Sequence, residues 1–174
     1  VKELVIGGAR SGKSRFAQSQ AVKCKKKLHY LATAEAADDE MAERIRLHRA
    51  ERGPQWTLIE EPRQLATALL NNHHQDNVIV IDCLTLWVTQ CLLADCWESE
   101  RAALMAALDQ LNGDIIFVSN ETGMGVVPLG ELTRQFVDAS GFLHQAIAAH
   151  CERVTLMVAG LPMPVKPVQS AQSS

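Results

Sequence analysis

The octapeptide Gly7-Gly8-Ala9-Arg10-Ser11-Gly12-Lys13-Ser14 limits what this chain can fold into more than any other stretch. It follows the apolar run Leu4-Val5-Ile6 and opens a helix-compatible segment at Lys13. The pattern G-x-x-x-x-G-K-[ST] is met without a mismatch, in the strand–loop–helix setting that gives it meaning. Glycines let the backbone wrap an anion so that successive N–H groups point inward. The N-terminus of the following helix adds partial positive charge. Gly7, Gly8, Ala9, Arg10, Ser11 and Gly12 are thus expected to cradle the phosphates of a nucleoside triphosphate. Lys13 is placed to reach the β- and γ-phosphates, and the Ser14 hydroxyl to ligate Mg²⁺.

A loop of this kind needs a strand behind it and a helix after it, and the rest of the chain supplies more of both. Apolar strand-like runs alternate with helical ones, which predicts an α/β fold with a mainly parallel sheet. Strands are expected at Glu3–Ile6, Leu28–Ala32, Trp56–Glu60, Val78–Ile81, Ile115–Ser119 and Val154–Ala159. Gly160-Leu161-Pro162 then turns the chain into a short antiparallel edge strand, Met163–Lys166. Helices are expected at Lys13–Lys23, from Asp38 to Gly53-Pro54, from Pro62 to Leu70, from Leu84 to Leu111 with a break near Asp95, and from Leu129 to His150, with Gly141 as a point of interruption. Asn71–Asn77 reads as a polar loop that leaves His73 and His74 solvated. Residues 1–169 read as one domain and residues 170–174 as a flexible tail.

Composition narrows the function classes. A chain of 174 residues with 47% apolar and 21% charged residues can bury a full core. The net charge of −3 gives no electrostatic footprint for nucleic acid. The basic cluster Lys23, Lys25, Lys26 and Lys27 suits a helix C-terminus. Five cysteines without a C-x-x-C pair suggest neither a zinc site nor a disulfide framework, and they fit a cytoplasmic protein with reduced thiols. No apolar run is long enough for a membrane span, and the start of the chain does not read as a signal peptide.

In an open parallel sheet the ligand crevice lies at the carboxyl ends of the strands. That rule selects Ala32, Thr33, Ala34, Glu60, Asp82, Asn120 and Glu121 beside the loop. Asp82 ends an apolar strand and is the first candidate to share Mg²⁺ with Ser14; a helix N-cap is the other role open to it. Glu121 is its rival as metal ligand or general base. Glu60 could accept N1–H and N2–H₂ of a guanine, a donor pair that adenine lacks. In the stretch Asp38–Arg52, His48 stands among Arg44, Arg46, Arg49 and Arg52, with Ala50 and Glu51 between the last two. A neutral imidazole can attack phosphorus while guanidinium groups hold the developing charge. The residues alone leave His48 open between that role and a solvated position on a charged helix.

Several longer segments resemble one family: GGARSGKSRFAQ from Gly7, YLATAEAADDEMAERIRLHR from Tyr30, W-x-x-x-E from Trp56, DCLTLWV from Asp82, SNETGMGVVP from Ser119, RQFVDASG from Arg134 and AGLPMPVK from Ala159. The chain resembles the adenosylcobinamide kinase/adenosylcobinamide-phosphate guanylyltransferase family of cobalamin biosynthesis. The resemblance implies a RecA-like P-loop fold with a mixed sheet and helices on both faces. It implies GTP and ATP as nucleotides and adenosylcobinamide and its phosphate as acceptors. A homo-oligomer is also implied, a trimer among the candidates. The family histidine that becomes guanylylated corresponds to His48, with Arg49, Ala50, Glu51 and Arg52 following it as nucleotide contacts. The family often has two histidines where Leu47-His48 stands, so His48 is the one candidate nucleophile of that helix. It often has NEVG at residues 120–123, and an arginine and an asparagine at Phe142 and His144. The expected activity is phosphorylation of the corrinoid hydroxyl, then transfer of GMP with loss of pyrophosphate. The residues themselves also admit a kinase of another small metabolite or a RecA-like ATPase.

Overall fold

Strand side chains point alternately to opposite faces, so a strand apolar at every position must be covered on both sides. The structure is a computed structural model in which residues 1–34, 53–126 and 128–166 are described. The elements in order are β1 (Lys2–Gly7), α1 (Lys13–Lys23), β2 (Lys27–Ala32), β3 (Trp56–Glu60), α2 (Leu65–Asn72) and β4 (Asn77–Asp82). They continue with α3 (Leu84–Leu93), α4 (Trp97–Leu108), β5 (Asp114–Asn120), α5 (Glu131–His150), β6 (Arg153–Val158) and β7 (Leu161–Lys166). Among the described residues seven strands form one sheet, in the order β3-β2-β4-β5-β1-β6-β7. All neighbours pair in parallel except β6 and β7.

The alternation sorts the core into two layers. Leu4, Ile79, Ile81, Ile115 and Phe117 face α2, α3, α4 and α5. Val5, Val78, Val80, Ile116 and Val118 face the other way, onto Ala17 and Ala21 of α1. Each such side chain contributes about 1.5–3 kcal/mol by leaving water. Trp87 of α3 is fully buried; its indole N–H donates to the Arg63 carbonyl at 2.6 Å, and its ring meets Trp97 edge-on at 5.5 Å. This is the RecA-like P-loop architecture expected from the sequence, with helices on both faces and one antiparallel strand at the edge. Ala159 (φ 51°) and Gly160 (φ 80°) turn β6 into β7 with the left-handed pair that a two-residue hairpin favours. Pro162 and Pro164 fit an edge strand, where a missing N–H costs no ladder bond.

Some boundaries differ from expectation. α2 starts at Leu65, not Pro62, because the Glu61 carboxylate accepts the N–H groups of Arg63 (2.9 Å) and Gln64 (2.8 Å) and holds Pro62 in a preceding turn. The break expected near Asp95 is present, where Asp95 takes φ 54°, but the second helix ends at Leu108, not Leu111. α5 starts at Glu131 and runs unbroken through Gly141. β7 begins at Leu161, two residues early. His74 is exposed as expected, but His73 is half-buried, not solvated: α2 extends to Asn72, and a Cβ at Gly113 would lie 2.1 Å from His73 Nε2. The helix expected from Asp38 to Gly53-Pro54 lies outside the described residues up to Arg52, as does the tail from residue 170.

Candidate functional site

β1 ends in a loop whose shape its residues enforce. A Cβ on Gly7 would lie 2.6 Å from Ser11 Oγ and 2.7 Å from the Met157 carbonyl, so only glycine fits there. Gly12 takes φ 90°, and Arg10 takes φ 56°. The Phe16 N–H donates to the Gly12 carbonyl at 3.0 Å and starts α1 directly behind the loop. Lys13 is 8% exposed, and its ammonium donates to the Gly8 carbonyl at 3.0 Å, which draws the side chain back across the loop. Ser11 Oγ is buried without a hydrogen-bond partner. A buried unpaired hydroxyl and a buried ammonium on this glycine-rich loop fit an anion with several acceptor oxygens.

The strand ends bring the other candidates into a row. Register pairs Ala32 with both Glu60 and Asp82, and Gly7 with Asn120. β5 alone separates β1 from β4, so Asp82 stands two strands from the loop, roughly 10 Å at ordinary strand spacing. Asp82 is half-buried, and its Oδ2 accepts the Tyr30 hydroxyl at 2.7 Å. Ser14 is half-buried on the first turn of α1. A hydroxyl and a carboxylate are the hard oxygen donors that suit Mg²⁺, which takes one or two protein ligands and fills the rest with phosphate and water. Glu60 is exposed, four strands from β1 and roughly 19 Å away by the same spacing. The loop and Glu60 therefore occupy different parts of the same sheet edge.

Thr33 is fully buried, and its hydroxyl is committed to Cys83: it accepts the Cys83 N–H at 3.0 Å and donates to the Cys83 carbonyl at 2.7 Å. It ties β2 to β4 just beyond Asp82. Burial pushes the Cys83 thiol up, with Asp82 adding to the effect, so the group stays a neutral thiol. Ala34 is half-buried beside it. Glu121 continues β5: its N–H donates to the Gly7 carbonyl at 2.9 Å, and its Oε1 accepts the Gly123 N–H at 2.6 Å. His48, Arg49, Ala50, Glu51 and Arg52 lie outside the described residues.

The model of the family described as "Cobinamide kinase / cobinamide phosphate guanyltransferase" matches residues 3–165. The chain belongs to that family. The Pseudomonas aeruginosa bifunctional adenosylcobalamin biosynthesis protein CobP is 53% identical over 95% of this chain and 98% of its own length. The Salmonella typhimurium bifunctional adenosylcobalamin biosynthesis protein CobU is 37% identical over 94% and 98%. Among solved structures, the flagellar accessory protein FlaH from Methanocaldococcus jannaschii covers 95% of this chain and 78% of its own at 12% identity and a TM-score of 0.51, a likeness of fold alone.

Three features of this family member are visible only in the folded chain. Tyr30 bears on Asp82 from the next strand. The Asn120 amide donates to Thr85 Oγ1 at 3.2 Å, and His144 Nε2 lies 2.7 Å from the buried Ser119 hydroxyl. Burial pushes the His144 pKa down, against the pull of Glu121, which favours the neutral ring in that contact. The sequence signal for Tyr30 was positional: it precedes Ala32 by two residues, as Val80 precedes Asp82, and so shares their face.

Proposed function

We propose that this chain phosphorylates the hydroxyl of adenosylcobinamide with ATP or GTP, and then transfers GMP from GTP to the new phosphate through a guanylyl-histidine on His48. Support comes from the family match over residues 3–165. In the kinase step the corrinoid hydroxyl oxygen bonds to the γ-phosphorus, the bond to the β-phosphate oxygen breaks, and the hydroxyl proton leaves to a base. Lys13 and the loop N–H groups take up charge on the β- and γ-phosphates. Mg²⁺, held by Ser14 and Asp82, would neutralise the leaving diphosphate.

In the transfer step a neutral His48 nitrogen attacks the α-phosphorus and pyrophosphate leaves; the corrinoid phosphate then takes the GMP and frees the imidazole. The product is adenosylcobinamide-GDP. Arg49, Arg52 and their neighbours hold the phosphate oxygens, and Glu60 reads the guanine edge. Residues 1–169 act as one catalytic domain, in the cytoplasm and as a homo-oligomer. The test is conversion of adenosylcobinamide to its phosphate by purified protein with Mg-ATP, followed by GTP-dependent formation of the GDP derivative. Formation of neither product would overturn the proposal.

A further inference from the structure

We propose that Cys91 and Cys96 form a redox-active thiol pair, which hydrogen peroxide closes to a disulfide and small thiols reopen. The proposal is independent of the reading of residues 7–14. It starts from how α3 ends. Ala94 caps the helix and Asp95 takes φ 54°. The Cys96 N–H donates to the Cys91 carbonyl at 3.0 Å, and the Asp95 N–H donates to the Leu92 carbonyl at 3.3 Å. Two such bonds around a left-handed residue make a Schellman end. In that motif the residue after the left-handed one packs back on the third-last residue of the helix, commonly as an apolar contact. Here both of those residues are cysteines, so the contact that closes the turn joins two thiols. With ordinary bond lengths, the 3.0 Å bond from Cys96 to Cys91 holds their Cα atoms within about 7 Å, the reach of a disulfide.

The two thiols differ in access. Cys91 is fully buried in the larger core cluster, and its thiol donates to the Arg63 carbonyl at 3.9 Å. Cys96 is half-buried at the margin of that cluster and meets solvent. Burial pushes the Cys91 thiol up to about 12, and the neighbouring Cys96 adds to the effect. Cys96 is therefore the thiol that meets the oxidant, and Cys91 the one that resolves it. The Cys96 thiolate attacks one peroxide oxygen and the O–O bond breaks. The departing hydroxide takes up the proton that Cys96 lost, which leaves a sulfenic acid and one water. The Cys91 sulfur then bonds to the Cys96 sulfur, the S–O bond breaks, and the Cys91 proton leaves with the hydroxide as a second water. Two thiols lose two electrons to one peroxide. The other cysteines lie elsewhere: Cys24 follows α1, Cys83 follows β4 and Cys151 follows α5, and burial pushes each of their thiols up.

The test exposes the reduced, folded whole protein to hydrogen peroxide, blocks the remaining thiols with iodoacetamide, and digests it without reductant. Trypsin with an endoprotease that cuts before aspartate separates residues 82–94 from residues 95–101. The proposal expects these two fragments to be joined, with fragmentation placing the bond at Cys91 and not at Cys83. Free thiols should fall from five to three, and dithiothreitol should restore all five. Cys96→Ser, a change at a half-buried position, should give no joined fragments and keep its remaining thiols free. Five thiols that survive peroxide would overturn the proposal. A bond to Cys83, a bond between two chains, or Cys96 carried to a sulfinic acid without any bond would overturn it as well.

Discussion

Lys13 is a cation held nearly out of water with one carbonyl for a partner, and that arrangement makes it sensitive to the anion it awaits. Replacing it with alanine removes the group that follows charge onto the transferring phosphate. Lys13→Ala should lower both the kinase and the guanylyl-transfer rates by about a hundredfold or more, read as initial rates at saturating nucleotide. Near-normal rates would contradict its role. Asp82 is aimed by the Tyr30 hydroxyl. Asp82→Asn should raise the Mg²⁺ concentration needed for half-maximal turnover much more than it weakens metal-free nucleotide binding. Tyr30→Phe should move the same Mg²⁺ curve in the same direction by a smaller amount. An unchanged curve in Asp82→Asn would shift the metal to Glu121.

At the scale of elements, the loop and the strand ends were the legible part. The apolar runs located the strands, and the strand-end rule put Gly7, Ala32, Glu60, Asp82 and Asn120 on one edge, where the observed register aligns them. Contacts between strands distant in sequence were not legible. Tyr30 meets Asp82, and Thr33 meets Cys83, only because β2 lies beside β4, and the order of strands in the chain does not state that neighbourhood. The two ends of each contact lie 52 and 50 residues apart, beyond any local pattern. The start of α2 was missed because a side-chain cap from Glu61 competes with proline's preference for a first turn. The tie of β6 to the loop was hidden in the same way, because it depends on the hairpin at Gly160 reaching back to Ser11. Gly7→Ala tests how tightly these elements meet. Its Cβ would strike the Met157 carbonyl, a backbone atom with little freedom, so the substitution should cost about 1–3 kcal/mol in chemical denaturation and depress nucleotide binding. Full stability with full binding would mean that the loop is looser than described.

For the molecule as a whole, the amino end of the sheet sets an acid limit on stability. Burial lowers the pKa of His29 and of His73, with the nearby His74 adding to both. The folded state therefore binds fewer protons than the unfolded chain, whose histidines titrate near 6.5. Their contribution is present above that pH and is lost as the pH falls through their lower folded values. The urea midpoint should drop between pH 7.5 and pH 5.5, and a flat midpoint would contradict the account. At the carboxyl end, the central claim is that one chain carries both a phosphate loop and a histidine that holds GMP. Incubation with GTP labelled at the α-phosphate tests it most directly. The account predicts a labelled protein that is lost on adding adenosylcobinamide phosphate, is cleaved by acid but stable in alkali as a phosphoramidate should be, and fails to form in His48→Ala. Label that resists acid, or that persists in His48→Ala, would contradict it.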